Sequence, residues 1–184
     1  MMKRILLGAV IGGVVMFVWG ALAWMALPLH TATVKSIPNE DALRAVIRDN
    51  VKSPGFYALP GWTANREEQE QKYRQGPRGA LVLWPGGGEP YMAKTFVTGF
   101  VLDVLAAFVA AWLLSKAAGG LASYGARVQF VAVTGLFAGI VTHLAYWNWM
   151  EFPPDYTVAY LADLVIGWTL VGLVLAAIVK PKAA

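Results

Sequence analysis

The chain has 184 residues, of which 58% are hydrophobic and 14% charged, and its formal net charge at neutral pH is +4. The apolar residues form long runs, which excludes an ordinary soluble domain, and the length allows one compact domain. The excess positive charge lies beside these runs, so nucleic acid is not an expected partner. The absence of cysteine excludes disulfides, thiolate metal sites and a cysteine nucleophile.

Four segments are long and apolar enough to cross a bilayer, which requires about 20 mostly apolar residues. They are residues 5–29, 95–114, 128–150 and 157–179. The first transmembrane segment, with the residues before its apolar run, is taken as 1–29. Ala21-Leu22-Ala23 resembles the cleavage site of a signal peptide. The apolar run before it is longer than the roughly 7–15 residues typical of such a peptide. We therefore predict an all-α integral membrane protein, a four-helix transmembrane bundle with helices 2–4 in residues 95–184.

The orientation follows from basic residues in the short connections, which favour the cytoplasmic side of a membrane. These stretches contain no acidic residue, and their basic residues are Lys3, Arg4, Lys116, Arg127, Lys180 and Lys182. Both termini are therefore expected in the cytoplasm of a bacterium, with the chain in the inner membrane and residues 30–94 outside it.

Residues 30–94 are too polar for the membrane and predict a small α/β extracytoplasmic cap. In chain order the pattern predicts a helix over 40–50 capped by Asn39, a strand over 56–59, a helix over 64–75 capped by Thr63, and a strand over 80–84. Two strands alone are marginally stable. We therefore expect the cap to rest on the membrane helices or on a partner.

Three ionisable side chains interrupt the apolar segments, and each lies on a different predicted membrane helix. They are Asp103, His143 and Asp163. With the predicted topology, all three lie roughly 9–12 Å below the outer boundary, at 1.5 Å of helix rise per residue. An ionised group in hydrocarbon is costly, so such residues face the interior of a bundle, pair with one another or carry function.

Glycines predict where these helices approach one another closely, because a face without side chains lets two backbones come together. Three of them lie four residues from an ionisable side chain, and others form G-x-x-x-G pairs. The predicted packing glycines are Gly8, Gly12, Gly99, Gly135, Gly139 and Gly167.

Two residues near the outer surface, His30 and Glu151, complete a candidate metal set with His143, Asp103 and Asp163. Imidazoles and carboxylates are suitable ligands for zinc, iron or manganese, so a divalent transition metal is the candidate cofactor. The same side chains suit proton relay or general acid–base catalysis. Hydrogen bonding between helices is the structural alternative. No spacing motif such as H-E-x-x-H selects one of these, and whether the protein is an enzyme stays open.

The stretch over residues 147–154, Trp-Asn-Trp-Met-Glu-Phe-Pro-Pro, is distinctive. In its overall pattern the chain resembles small four-span bacterial inner-membrane proteins with a cap after the first span. The resemblance implies no activity. We expect a non-enzymatic accessory subunit or a small transport or permeability factor. Its partners would be the lipid bilayer and other membrane subunits or a second copy. The alternative is a metal-binding or proton-handling site formed by Asp103, His143 and Asp163.

Overall fold

A computed structural model describes residues 1–90 and 92–181. Tyr91, inside the predicted cap, and Lys182, used for the predicted orientation, lie outside this part. The chain forms two compact units. The helical unit contains the described residues of Met1–Val34, Tyr91–Asn148 and Phe152–Ala184, and the cap unit contains Lys35–Pro90 and Trp149–Glu151.

The described part of the chain is mainly helical, with one small sheet. In order, its elements are α1 (Met2–Ala21), α2 (Glu40–Asn50), β1 (Gly55–Leu59), α3 (Arg66–Gln75), β2 (Gly79–Leu83), α4 (Ala93–Ala117), α5 (Tyr124–Gly139), α6 (Ala145–Met150) and α7 (Pro154–Ile178). Two π-helical turns extend longer helices: Leu22–Ala26 follows α1, and Ile140–Leu144 joins α5 to α6.

Four continuous helices in the described residues are long and apolar enough to cross a membrane, which confirms the number predicted. They span Met2–Ala26, Ala93–Gly120, Tyr124–Met150 and Pro154–Ile178. The third helix begins earlier than predicted because Ser123 caps it, its side chain accepting a hydrogen bond from the Ala126 N–H. The fourth also begins earlier, because Pro154 is favoured at a first helical position.

Helix α1 packs along both α4 and α7, and α5 packs along α7, whereas α4 and α5 touch little although they are consecutive. The core between the helices is formed by small and aliphatic side chains, among them Ala111, Leu114, Val131, Val171 and Leu175. This arrangement places α1 and α7 in the middle of the helical unit.

The close approach of α1 depends on glycine. A Cβ atom on Gly8 would lie 2.9 Å from Leu175 on α7, and one on Gly12 would lie 3.1 Å from Ala107 on α4. Gly13, which the sequence pattern did not single out, is tighter still, because its Cβ would lie 2.8 Å from the Cα of Val104. A larger residue at Gly13 would meet the backbone of α4, whereas at Gly8 and Gly12 it would meet side chains that must shift to make room.

The other predicted packing glycines divide into two groups. A Cβ on Gly135 would overlap Trp168, one on Gly139 would lie 2.8 Å from Leu161, and one on Gly167 would lie 2.9 Å from Trp19. Gly99 departs from the prediction, because a Cβ there would meet nothing within 4 Å. It lies near the start of α4, where its Cβ would point into open space although the next residue, Phe100, contacts Phe17 of α1.

Arg127 is buried inside the helical unit, although the sequence pattern placed it in the link between the second and third spans. Its Nε donates to the Ala176 carbonyl at 3.1 Å, and its Nη1 donates to the carbonyls of Leu121 and Ala122 at 3.0 and 2.9 Å. The guanidinium therefore satisfies carbonyls at the end of α7 and in the link, and it fixes the two together.

The cap unit follows the predicted elements closely. Asn39 accepts a hydrogen bond from the Ala42 N–H and caps α2, as predicted. Strands β1 and β2 pair antiparallel, with Phe56 opposite Val82. The predicted cap of α3 is wrong: Asn65, not Thr63, accepts the hydrogen bond from the Glu68 N–H. The amide side chain of Asn65 reaches that N–H because it lies directly before the first helical residue.

The cap unit has no core of its own. Across residues 35–90, all of them described, no side chain is fully buried. Large apolar side chains are instead exposed, including Phe56 and Val82 on one face of the sheet, Trp84 beyond it at 71% and Trp62 at 87%. Local hydrogen bonds and the two strands are therefore what hold this unit together.

The glycine packing gives a direct stability test. Gly139→Leu should lower the stability of the helical unit by about 1–3 kcal/mol, because a larger side chain would overlap Leu161 and Leu164. Gly99→Leu is the matched control, since open space surrounds that position, and it should change stability by less than about 1 kcal/mol. Thermal unfolding in one detergent measures both, and equal losses would contradict the packing described.

Candidate functional site

Asp163 on α7 is the centre of a hydrogen-bonded group formed with two residues from the first part of the chain. The indole Nε1 of Trp19 donates to its Oδ1 at 2.6 Å. The Nε2 atom of His30 lies 3.1 Å from its Oδ2. The carboxylate therefore has a hydrogen-bonding partner on each oxygen, and it joins α7 to both α1 and the segment after it.

His30 is fully buried by aromatic rings. Its relative exposure is 0%. Its imidazole stacks on the indole of Trp24, with ring centroids 4.2 Å apart and planes inclined by 11°, and the edge of Tyr160 approaches at 4.5 Å. Its second ring nitrogen, Nδ1, is also buried and has no hydrogen-bond partner among the described residues.

The chain reverses direction after α1, and this reversal brings His30 back over the end of that helix. The π-helical turn closes with a bond from the Leu27 N–H to the Leu22 carbonyl at 2.8 Å. Leu27 is then extended, and a single 3₁₀ turn begins directly after His30. The hydroxyl of Thr33 donates to the His30 carbonyl at 2.9 Å and holds that turn.

Trp19 reaches Asp163 because a glycine on α7 leaves space for its indole ring. Gly167 lies one helical turn beyond Asp163, and the indole of Trp19 lies against it. A side chain at position 167 would displace the ring from the carboxylate. The small residue near Asp163 therefore makes room for a hydrogen-bond donor.

His143 joins this group through an aromatic ring. It lies in the π-helical turn between α5 and α6, and its ring centroid is 5.0 Å from that of Tyr160. No hydrogen bond links its imidazole to any described residue. Of the three ionisable residues predicted from the sequence, His143 and Asp163 therefore lie near each other. His143 contacts the ring of Tyr160.

The other predicted members lie elsewhere. Asp103 is half-buried on α4 and forms no hydrogen bond or ion pair with a described residue. Glu151 belongs to the cap unit, where its Oε1 accepts hydrogen bonds from Tyr73 at 2.7 Å and from Arg78 at 2.9 Å. Within residues 1–90 and 92–181, no three histidine, aspartate or glutamate side chains are placed to hold a metal ion. Within the helical unit, Asp163 bonds His30 and lies near His143, whereas Asp103 bonds neither of them.

Aromatic side chains extend the group toward the start of α7. Phe152, Tyr156 and Tyr160 follow one another, with centroids 5.3 and 4.3 Å apart, and Tyr146 stacks on Phe152 at 5.5 Å. The i, i+4 spacing of Tyr156 and Tyr160 along α7 is the one signal in the sequence that points to a shared face.

The hydrogen-bond geometry defines the chemistry available. An ionised carboxylate only accepts, so with Asp163 ionised the His30 nitrogen facing it carries the proton and Trp19 supplies the second donor. The neutral imidazole then has its Nδ1 lone pair free inside an aromatic enclosure. This is a hydrogen-bonded histidine–aspartate pair without metal-ligand geometry.

No family model, curated protein or solved structure that was compared with the chain matches it.

The two aspartates of the helical unit should differ in their effect on stability. Asp163→Ala should cost about 2 kcal/mol or more, because it leaves the Trp19 and His30 donors without an acceptor, and a buried unpaired donor costs about 1–3 kcal/mol. Asp103→Ala should change stability little, since no described group depends on it. Thermal unfolding of both variants in detergent checks this, and an equal loss would show that Asp163 does not organise the group.

Proposed function

We propose that this chain is a multi-pass inner-membrane protein that works as a non-enzymatic subunit of a larger assembly, with the cap unit outside the membrane as its contact surface. The observation that carries this proposal is the low burial of the cap unit. Its segment of more than fifty residues has no fully buried side chain.

The membrane part of the proposal is supported by the outward faces of the long helices. These faces carry large exposed apolar side chains, which suit lipid and would be unfavourable in water. They include Leu6, Leu7, Val10, Val14 and Val18 on α1, Val97, Val101, Leu105 and Val109 on α4, Val133 and Phe137 on α5, and Val158, Ile166 and Leu173 on α7. The basic residues near the chain ends, together with Lys116 at the end of α4 and Arg127 at the start of α5, support cytoplasmic termini.

The subunit part is supported by the exposed tryptophans of the cap unit. A two-stranded sheet without a core gains little stability from burial, so such a unit is stabilised by what it binds. Trp62, Trp84 and Trp149 are all strongly exposed there. Tryptophan is among the residues that contribute most to protein interfaces when a partner covers them. Three exposed tryptophans in one small unit therefore favour a protein partner.

The natural absence of cysteine makes the orientation directly testable. Gly61→Cys in the cap unit and Gly119→Cys in the α4–α5 link both introduce a thiol into open space. In intact spheroplasts, a membrane-impermeant maleimide should label position 61, whereas position 119 should react only after permeabilisation. Labelling of position 119 alone would reverse the proposed topology.

The subunit role predicts a loss of assembly when the exposed rings are removed. Extracted in mild detergent from cells at native expression, the wild-type chain should migrate on a native gel within a complex much larger than its own monomer. A Trp62→Ala, Trp84→Ala double variant should shift to the free form. Trp112→Ala, an exposed tryptophan of the helical unit, is the control and should remain in the complex. A wild-type chain that migrates only as a free monomer would overturn the proposal.

A further inference from the structure

We propose that a pocket within the cap unit binds one neutral sugar ring, with Trp149 stacked on the ring and Glu151 and Arg78 hydrogen-bonded to its hydroxyl groups. The pocket has a volume of about 220 Å³ and is lined by the end of β1, α3, the start of β2 and residues 149–151. These residues all belong to the cap unit. The site goes beyond the subunit role, because it gives this unit a small-molecule ligand.

The charges at the pocket compensate each other. Arg78 and Glu151 are the charged residues of its described lining, and the Nη1 atom of Arg78 donates to Oε1 of Glu151 at 2.9 Å. Both side chains are about half-exposed, so they remain accessible from the surface. A pocket whose two charges already face each other has no charge left for an ionic ligand, and an uncharged polar ligand is complementary to it.

Several hydrogen-bonding groups of the pocket stay open to a ligand. Tyr73 and Arg78 both donate to Oε1 of Glu151, and no described residue donates to Oε2. The carbonyl oxygen of the Gln69 side chain accepts from the Thr63 N–H, which leaves its amide nitrogen without an acceptor in the described part of the chain. The free guanidinium N–H groups of Arg78 add further donors. Donors and acceptors side by side suit hydroxyl groups, because a hydroxyl both donates and accepts.

An exposed indole gives the pocket a flat apolar surface. Trp149 lines the pocket and is 80% exposed. The face of an aromatic ring is electron-rich, whereas a sugar ring has C–H groups on its faces and hydroxyl groups at its edge. The indole therefore stacks on the C–H face while the polar side chains reach the edge. The pocket is smaller than the roughly 300–1,000 Å³ of sites for drug-sized ligands, so its size suits a single ring.

The backbone at Glu151 has an unfavourable conformation. Its φ is 56°, and it is the one described residue other than glycine with a positive φ. Glu151 directly follows α6, and helices often end on such a residue, but glycine adopts the conformation without the cost of a Cβ. Backbone outliers of this kind cluster at active sites and ligand-binding sites. What a glutamate adds at this position is its carboxylate, which reaches Tyr73 and Arg78.

Soluble sugars test the proposal with the full-length protein. The protein is purified in lauryldimethylamine oxide, because alkyl glycoside detergents carry a sugar in their own headgroups. Saturation-transfer difference NMR with glucose, galactose and N-acetylglucosamine should show a saturable signal for at least one of them, strongest at the C–H protons of one ring face. Sorbitol has hydroxyl groups but no ring, and it should show no saturable signal.

Three variants locate the binding site. Trp149→Ala should weaken binding of the sugar about tenfold or more, because it removes the stacking surface. Glu151→Gln should also weaken binding about tenfold or more, because an ionised acceptor forms the stronger hydrogen bonds. Trp62→Ala is the matched control, since Trp62 is also strongly exposed in the cap unit but does not line the pocket, and it should leave the affinity unchanged.

Two results would overturn the proposal. One is a wild-type protein that gives no saturable signal with any of the three sugars, or the same signal with sorbitol. The other is an equal affinity in the wild type and in Trp149→Ala or Glu151→Gln. Because Trp149 is exposed, its replacement should leave the fold intact, and thermal unfolding verifies this. The subunit test changes Trp62 and Trp84, neither of which lines the pocket, so the two proposals fail independently.

Discussion

The close packing of α1 between α4 and α7 is the constraint on which the rest of the helical unit depends. Gly8, Gly12 and Gly13 remove the side chains that would keep these helices apart. Because α1 lies directly on α7, the indole of Trp19 reaches Asp163, and the chain that leaves α1 can turn back to place His30 on the same carboxylate. A polar group that would be costly alone in an apolar interior is thereby paired.

Asp163 and Asp103 illustrate how context decides the role of identical residues. Both interrupt an apolar helix, and both lie four residues from a glycine. At Gly167 the neighbouring helix fills the gap with Trp19 and supplies a donor, whereas at Gly99 a Cβ would point into open space. The difference comes from which helix packs on which, since α7 lies between two helices. Only one of the two aspartates therefore becomes part of a buried polar group.

The cap unit is held together by local interactions. On α3 the Lys72 ammonium lies beside Glu68, and its hydrogen bond and charge, with a further hydrogen bond from Thr63, lower the pKa of that carboxyl below its usual range. Such exposed pairs at i, i+4 add little to stability, because water and salt screen them. Glu151 adds a longer-range contact to Tyr73 and Arg78. A unit that depends on such contacts leaves its tryptophans exposed, which is the feature on which the proposed partner rests.

The amino-acid sequence by itself determined the features that depend on neighbouring residues. The four apolar helices, the α2 helix with its Asn39 cap and the two strands all follow from local hydropathy, capping and turn chemistry. The tertiary structure decided what depends on contacts between distant residues. Trp19 and Asp163 are 144 positions apart, and no periodicity relates them. The burial of Arg127, the open space at Gly99 and the central place of His30 likewise follow from helix packing. Local sequence patterns specify which face of a helix is apolar, but they do not specify which helix covers it.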